Sequence, residues 1–143
     1  VAGCTGATSE ATVQQLYALP DHAMLDMGDF AGGMLKYLAK HPVGRVTIGG
    51  GIGKITKLAQ GAVDLHSGRS QVDFAALADL AEVPEVARAN TALEAYEIAG
   101  ADLATRVAHA ALSQVEARFG DAGITYDIVI IDRKGTIIAR AGA

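Results

Sequence analysis

The segment that most constrains the fold runs from Arg45 to Ser70, with the sequence RVTIGGGIGKITKLAQGAVDLHSGRS. It begins with β-branched residues, which favour a strand, and continues with three glycines, Gly49 to Gly51, which free the backbone from side-chain sterics. From Ile52 onward the apolar residues recur at helical spacing. The segment therefore predicts a strand, a glycine loop and a helix in succession.

A glycine loop before a helix presents backbone N–H groups at the positive end of the helix dipole, which suits an anionic or nucleotide-like ligand. Lys54 and Lys57 lie on one face of the predicted helix near its start. The segment is not a P-loop, because Ile55 stands where that motif requires Ser or Thr, and it lacks the later glycines of the dinucleotide fingerprint. The alternative is a tight turn with two solvated lysines. The entropic cost of three glycines favours a ligand.

Residues 1–10 predict the end of another strand and a second glycine loop. Thr8 or Ser9 is the expected N-cap of the helix that follows. Thr5 and Gly6 lie in the loop, where ordinary helix capping and contact with a ligand are equally compatible with the pattern.

A third junction follows a short predicted strand that ends at Asp26. In open α/β sheets ligands bind at the carboxyl ends of the strands, and an acidic residue there can hold ribose hydroxyls. We therefore interpret Asp26 as a ligand contact. Asp29, just before the next helix, is interpreted mainly as an N-cap.

The remaining chain predicts an alanine-rich helical layer from residue 72 to 118, with His109 on a helix surface, and a β-hairpin from Tyr126 to Arg140. Three strand–loop–helix units followed by a hairpin predict an α/β fold: a mostly parallel sheet with helices on both faces. We expect residues 1–143 to form one domain, and to be the C-terminal part of a longer parent protein.

The polar segment from Asp64 to Ser70 is hard to explain as packing. His66 is a weak candidate for a general base and a better one for a hydrogen-bond anchor. Arg69 suits a carboxylate through its bidentate fork. A lone histidine is more often structural, and the spacing of its neighbours does not favour zinc.

Composition narrows the classes of function. Half of the 143 residues are hydrophobic, 20% are charged and the net charge is −4, which argues against disorder and against a nucleic-acid binder. A single cysteine excludes an internal disulfide and a cysteine-based metal cluster. We expect a cytoplasmic protein without a membrane span or a bound metal.

Several segments together resemble one family, the cobalt-precorrin-5B (C1)-methyltransferases of the CbiD type, in their C-terminal half. The segments are Ala18–Ala23, Met27–Phe30, Leu35–Leu38, His41–Val43 and the run GGGIGKITKLAQGAVDLHSGRSQVD. The resemblance spans nearly the whole chain. It implies methyl transfer from S-adenosylmethionine to C1 of a corrinoid in cobalamin biosynthesis.

As site hypotheses, the resemblance and the pattern give two sets of residues. The cofactor set is Thr5, Gly6, Asp26, Asp29, Gly49, Gly50 and Gly51. The substrate set, meant for the carboxylate arms of the corrinoid, is Lys54, Lys57, His66, Ser67 and Arg69. No catalytic residue is assigned beyond the weak candidate His66, because transfer from a sulfonium needs mainly proximity and alignment.

The family's N-terminal half is absent from this sequence, and it is the expected partner of the chain. A second reading is therefore a non-catalytic module that holds a nucleotide or a corrinoid. A third is a structural remnant whose glycine loops are only tight turns.

Overall fold

The computed structural model describes residues 1–142, which form a five-stranded sheet with helices on both faces. The strands are β1 (Ala2–Cys4), β2 (Met24–Leu25), β3 (Arg45–Gly51), β4 (Thr125–Ile131) and β5 (Ile137–Ala141). The helices are α1 (Ala7–Tyr17), α2 (Ala31–Lys40), α3 (Ile52–Ala59), α4 (Phe74–Ala81), α5 (Ala92–Ala99) and α6 (Ala101–Phe119). Short 3-10 turns cover Asp21–Ala23, Pro84–Arg88 and Gly120–Ala122.

The strand order in the sheet is β2-β1-β3-β4-β5. The first four strands are parallel, and β5 pairs antiparallel with β4 as the second strand of a hairpin. The predicted fold class, with its mostly parallel sheet and C-terminal hairpin, is confirmed. Within the described residues, no helix is both long enough and apolar enough to cross a membrane.

The two faces of the sheet are covered unequally. Helix α1 alone packs on one face, where Val13 contacts a small cluster that includes Cys4 and Val129. The large core lies on the other face, where Ile48 and Ile128 of the sheet pack against residues of α2, α3 and α6. Adjacent strands β1 and β3 are therefore followed by helices on opposite faces.

The three central glycines do not form a loop, and that prediction is wrong. They are the last residues of β3, which pairs with β1 on one side and with β4 on the other. A Cβ on Gly49 would lie 2.7 Å from Val13 Cγ2, and one on Gly50 would lie 2.8 Å from Thr5 Oγ1. Close packing of α1 and of the β1–α1 turn thus requires glycine at both positions.

The predicted N-caps are also wrong. Gly6 is the N-cap of α1, and the buried Ser9 accepts a hydrogen bond from Gly6 N and donates one to Gly6 O. Thr8 lies within the helix. Phe30, and not Asp29, is the N-cap of α2. Sequence alone could not place these starts, because each helix begins one or more residues away from the side chain suited to cap it.

A polar cluster ties the end of α1 to the amino ends of the central strands. Asp127 is fully buried and accepts hydrogen bonds from the hydroxyls of Tyr17 and Thr47, both at 2.6 Å, and from Arg45 Nε at 3.1 Å. Arg140 Nη2 donates to the Tyr17 hydroxyl. The bond to Asp127 raises the pKa of Arg45.

Candidate functional site

The carboxyl ends of the parallel strands lie along one edge of the sheet. The helices that follow β1 and β3 pack on opposite faces of the sheet. Open α/β sheets bind ligands at such a switch point. The β1–α1 turn touches β3 there, because Thr5 N donates to Gly49 O at 3.0 Å. The β1–α1 turn and the end of β3 therefore lie together at this edge of the sheet.

A first cleft of about 330 Å³ opens between the ends of β1 and β2. Thr5, Gly6 and Asp26, three of the predicted cofactor residues, line it together. Gly6 has open space where a side chain would start. Asp26 follows β2 and stands 20 residues after Gly6, the approximate spacing at which nucleoside-binding α/β folds place a ribose-binding carboxylate. The cleft therefore has the layout of a nucleoside site.

The other polar groups of this cleft are acidic or neutral. Glu10 and Gln14 of α1 line it, and none of the described residues that line it is basic. Cys4 also reaches the cleft, but burial raises the pKa of its thiol to about 11. The thiol is therefore protonated near neutral pH and is not poised as a nucleophile.

Lys54 and Lys57 do share one helix face, as predicted, but both ammonium groups are engaged within the protein. Their Nζ atoms donate to Leu65 O at 3.2 Å and 3.1 Å, and Lys54 Nζ also pairs with Asp29 Oδ2 at 3.1 Å. Lys57 is only 8% exposed. This geometry favours a structural role, holding the segment after α3 against the start of α2, over the predicted contact with substrate.

The state of Lys57 makes a pH-dependent prediction. Burial, aided by repulsion from Lys54, lowers the pKa of Lys57, and attraction to Asp29 only partly opposes this. The pKa of Lys57 is thus lower in the folded state than in the unfolded state, so keeping the ammonium charged costs free energy on folding. This cost disappears as the pH rises from the folded pKa to the unfolded pKa. We expect the free energy of unfolding to gain a rising contribution just below the ordinary lysine pKa of 10.5, and Lys57→Met to remove it.

The measurement is urea denaturation of both proteins from about pH 8 upward. Taking the difference in unfolding free energy between the two proteins cancels the titration of all other groups. We expect this difference to change with pH. A difference that stays constant across the range would contradict the proposed state of Lys57.

The Asp64–Ser70 segment forms a compact loop with its own hydrogen bonds. His66 Nδ1 accepts from Gly68 N at 3.0 Å, and Arg69 pairs with Asp64 at 3.4 Å. The side chains of His66, Ser67 and Arg69 are nevertheless exposed. Because Leu65 O bonds to Lys54, the loop begins beside the carboxyl edge. A contact of these three residues with substrate stays a prediction.

A second cleft of about 320 Å³ lies on the other side of β3. The junction of β3 and α3, the start of α5 and the β4–β5 turn enclose it, and Gly51 is the one predicted site residue among the described residues that line it. The cleft is also lined by Gly53, Tyr96 and Arg133, which were not among the predicted site residues. The position of Arg133, two residues after the end of a parallel strand, was the available signal.

Comparison with known proteins agrees with the resemblance. A family model described as the C-terminal domain of CbiD matches residues 64–142. The chain is 51% identical to a protein of Brucella anthropi and 49% identical to one of Brucella ovis, over 98% of its length. Both relatives are named cobalt-precorrin-5B C(1)-methyltransferase, and the chain spans 41% of the length of each. No solved structure matches it. The chain therefore belongs to the CbiD family, whose C-terminal domain it contains.

Proposed function

We propose that the chain is the C-terminal part of an S-adenosylmethionine-dependent methyltransferase of the cytoplasm, which methylates C1 of cobalt-precorrin-5B in cobalamin biosynthesis. The names of relatives that share about half of its residues support the reaction. Those relatives are more than twice as long, so the remainder of such a protein is the expected partner of this chain.

One observation supports the choice of methyl donor: Thr5, Gly6 and Asp26 line a single cleft beside the switch point of the sheet. The Asp26 carboxylate is exposed at the end of β2, where it can accept hydrogen bonds from both hydroxyls of a ribose. Two carboxylates, Asp26 and Glu10, also give the cleft a negative potential, which suits a sulfonium cation.

The donor, when bound, supplies an electrophilic methyl group on its sulfonium. The residues of the chain have to bind and orient the two reactants, since alignment provides most of the acceleration in such a transfer. We assign Asp26 to the ribose and the β1–α1 turn to the remaining donor. His66, Ser67 and Arg69 stay candidate contacts of the acceptor, with His66 as a positioning residue.

Asp26→Ala should weaken binding of S-adenosylhomocysteine, the demethylated donor, by roughly tenfold, because two hydrogen bonds to a charged acceptor are lost. Isothermal titration calorimetry of the wild-type chain and the variant measures this. Asp121→Ala is the matched control, since this exposed carboxylate lies in the turn before the amino end of β4 and should leave the affinity unchanged.

Equal affinities of the wild type and Asp26→Ala would contradict the assignment of this cleft to the donor. Binding of S-adenosylhomocysteine without any methyl transfer, even in the presence of the rest of a full-length relative, would favour the non-catalytic binding module instead.

A further inference from the structure

We infer that the second cleft, between the carboxyl ends of β3 and β4, binds a carboxylate-bearing edge of the corrinoid acceptor, with Arg133 as the cation that receives the carboxylate. This inference rests on the proposed function, since it assigns the acceptor of that reaction to a site. Gly53, Tyr96 and Arg133 are its new members.

The glycines at the end of β3 and the start of α3 fall into two groups. Gly49 and Gly50 are required by packing, because a Cβ at either would meet another side chain within 3.0 Å. A Cβ at Gly51 or Gly53 would meet nothing within 4 Å, and both residues line the cleft. The described residues thus leave open a space that two absent side chains would fill. A molecule that approaches the backbone there explains glycine at these positions.

The second cleft offers a ligand both an apolar surface and a cation. Its walls are largely apolar, with Ile138 and the ring of Tyr96 among them. Arg133 is exposed at the rim, and no hydrogen bond or ion pair engages its side chain within residues 1–142. The lining Asp132 is already used by its own turn, since its Oδ1 accepts from the amides of Lys134 and Thr136. The cleft therefore suits an apolar molecule that carries an anionic group.

The charged residues of the two clefts favour different reactants. The donor carries one carboxylate on its amino-acid portion, whereas the acceptor is a ring that carries several. Asp26 and Glu10 line the first cleft, so its negative potential favours the donor, whose net charge is positive at neutral pH, over an acceptor with several carboxylates. The second cleft combines apolar walls with a free guanidinium. The two clefts lie on either side of β3 at the same edge. The two carboxylates of the first favour the cationic donor there, and the second, where Arg133 balances Asp132, is left to the carboxylate-bearing acceptor.

The test uses cobyrinic acid, a corrinoid with free carboxylate arms, and cobinamide, in which amides replace the carboxylates. Calorimetric titration of the chain compares the wild type with Arg133→Ala and Gly53→Leu. Leucine is tolerated by the helix and fills the open space. Gly44→Leu is the matched control, because Gly44 also has open space around it but precedes the amino end of β3.

We expect cobyrinic acid to bind the wild type, and Arg133→Ala and Gly53→Leu each to weaken that binding by roughly tenfold. Gly44→Leu should have no effect, and cobinamide should bind weakly and equally to the wild type and Arg133→Ala. Titration with S-adenosylhomocysteine separates the two proposals, since neither Arg133→Ala nor Gly53→Leu should change the affinity for it.

Three outcomes would overturn the inference. They are no binding of cobyrinic acid to the chain, equal affinity of the wild type and both variants, or loss of S-adenosylhomocysteine binding in Gly53→Leu, which would place the donor in this cleft. A failure of the donor titration alone, with cobyrinic acid still sensitive to Arg133→Ala, would count against the proposed donor cleft and leave this site standing.

Discussion

Asp127→Ala is expected to lower the free energy of unfolding by about 3 kcal/mol. The carboxylate is fully buried and accepts hydrogen bonds from Tyr17, Thr47 and Arg45. Its removal leaves the buried Thr47 hydroxyl without this acceptor and the Arg45 guanidinium without its counter-charge. Since Arg45 is 41% exposed, it can turn toward water, and this relief keeps the loss below that of a fully buried pair.

Urea denaturation at neutral pH measures the change, with Asp121→Ala as a control that removes an exposed carboxylate. Tyr17→Phe, which deletes one of the three donors, should lose about 1 kcal/mol. A loss below about 1 kcal/mol in Asp127→Ala would show that the cluster contributes little beyond its desolvation cost.

The hydrogen-bond partners of Asp127 in this cluster could not be predicted from the sequence. The strand Thr125–Ile131 was predicted from Tyr126 onward, yet the pattern gives no reason for an aspartate within it. The reason is tertiary, because Asp127 pairs in register with Thr47 and lies under the end of α1. Alternating elements and the hairpin follow from local periodicity. The partners of a buried charge do not.

The candidate site divides in the same way. Thr5, Gly6 and Asp26 were predicted at strand ends and do line one cleft, because the rule for strand ends needs only the order of the elements. Lys54 and Lys57 were expected to face a substrate, and the sequence could not reveal that both ammonium groups bond to Leu65 O, which lies beyond the end of their helix. Arg133 was overlooked because the hairpin was predicted only as a structural element, with no site residue assigned to it.

The three central glycines give the sharpest example, and they lead to the second prediction. Gly49→Ala should lower the free energy of unfolding by about 2 kcal/mol, as overpacking in a tight core does. The new methyl group would lie 2.7 Å from Val13 Cγ2 and 2.9 Å from Cys4 Sγ. Val13 is fully buried in α1, and its β-branched side chain has one favoured rotamer in a helix. Cys4 is fixed in the neighbouring strand β1, so relief requires α1 to move away from the sheet.

Gly51→Ala is the matched control two residues along the same strand. Its φ of −76° is accessible to any residue, and its methyl group would meet nothing within 4 Å. Its unfolding free energy should change by less than about 1 kcal/mol. Thermal and urea denaturation of both variants would separate a glycine kept for packing from one that leaves room for a ligand. Equal destabilisation by the two substitutions would mean that α1 does not lie as close to β3 as described, and the contrast between Gly49 and Gly51 that supports the second cleft would then be lost.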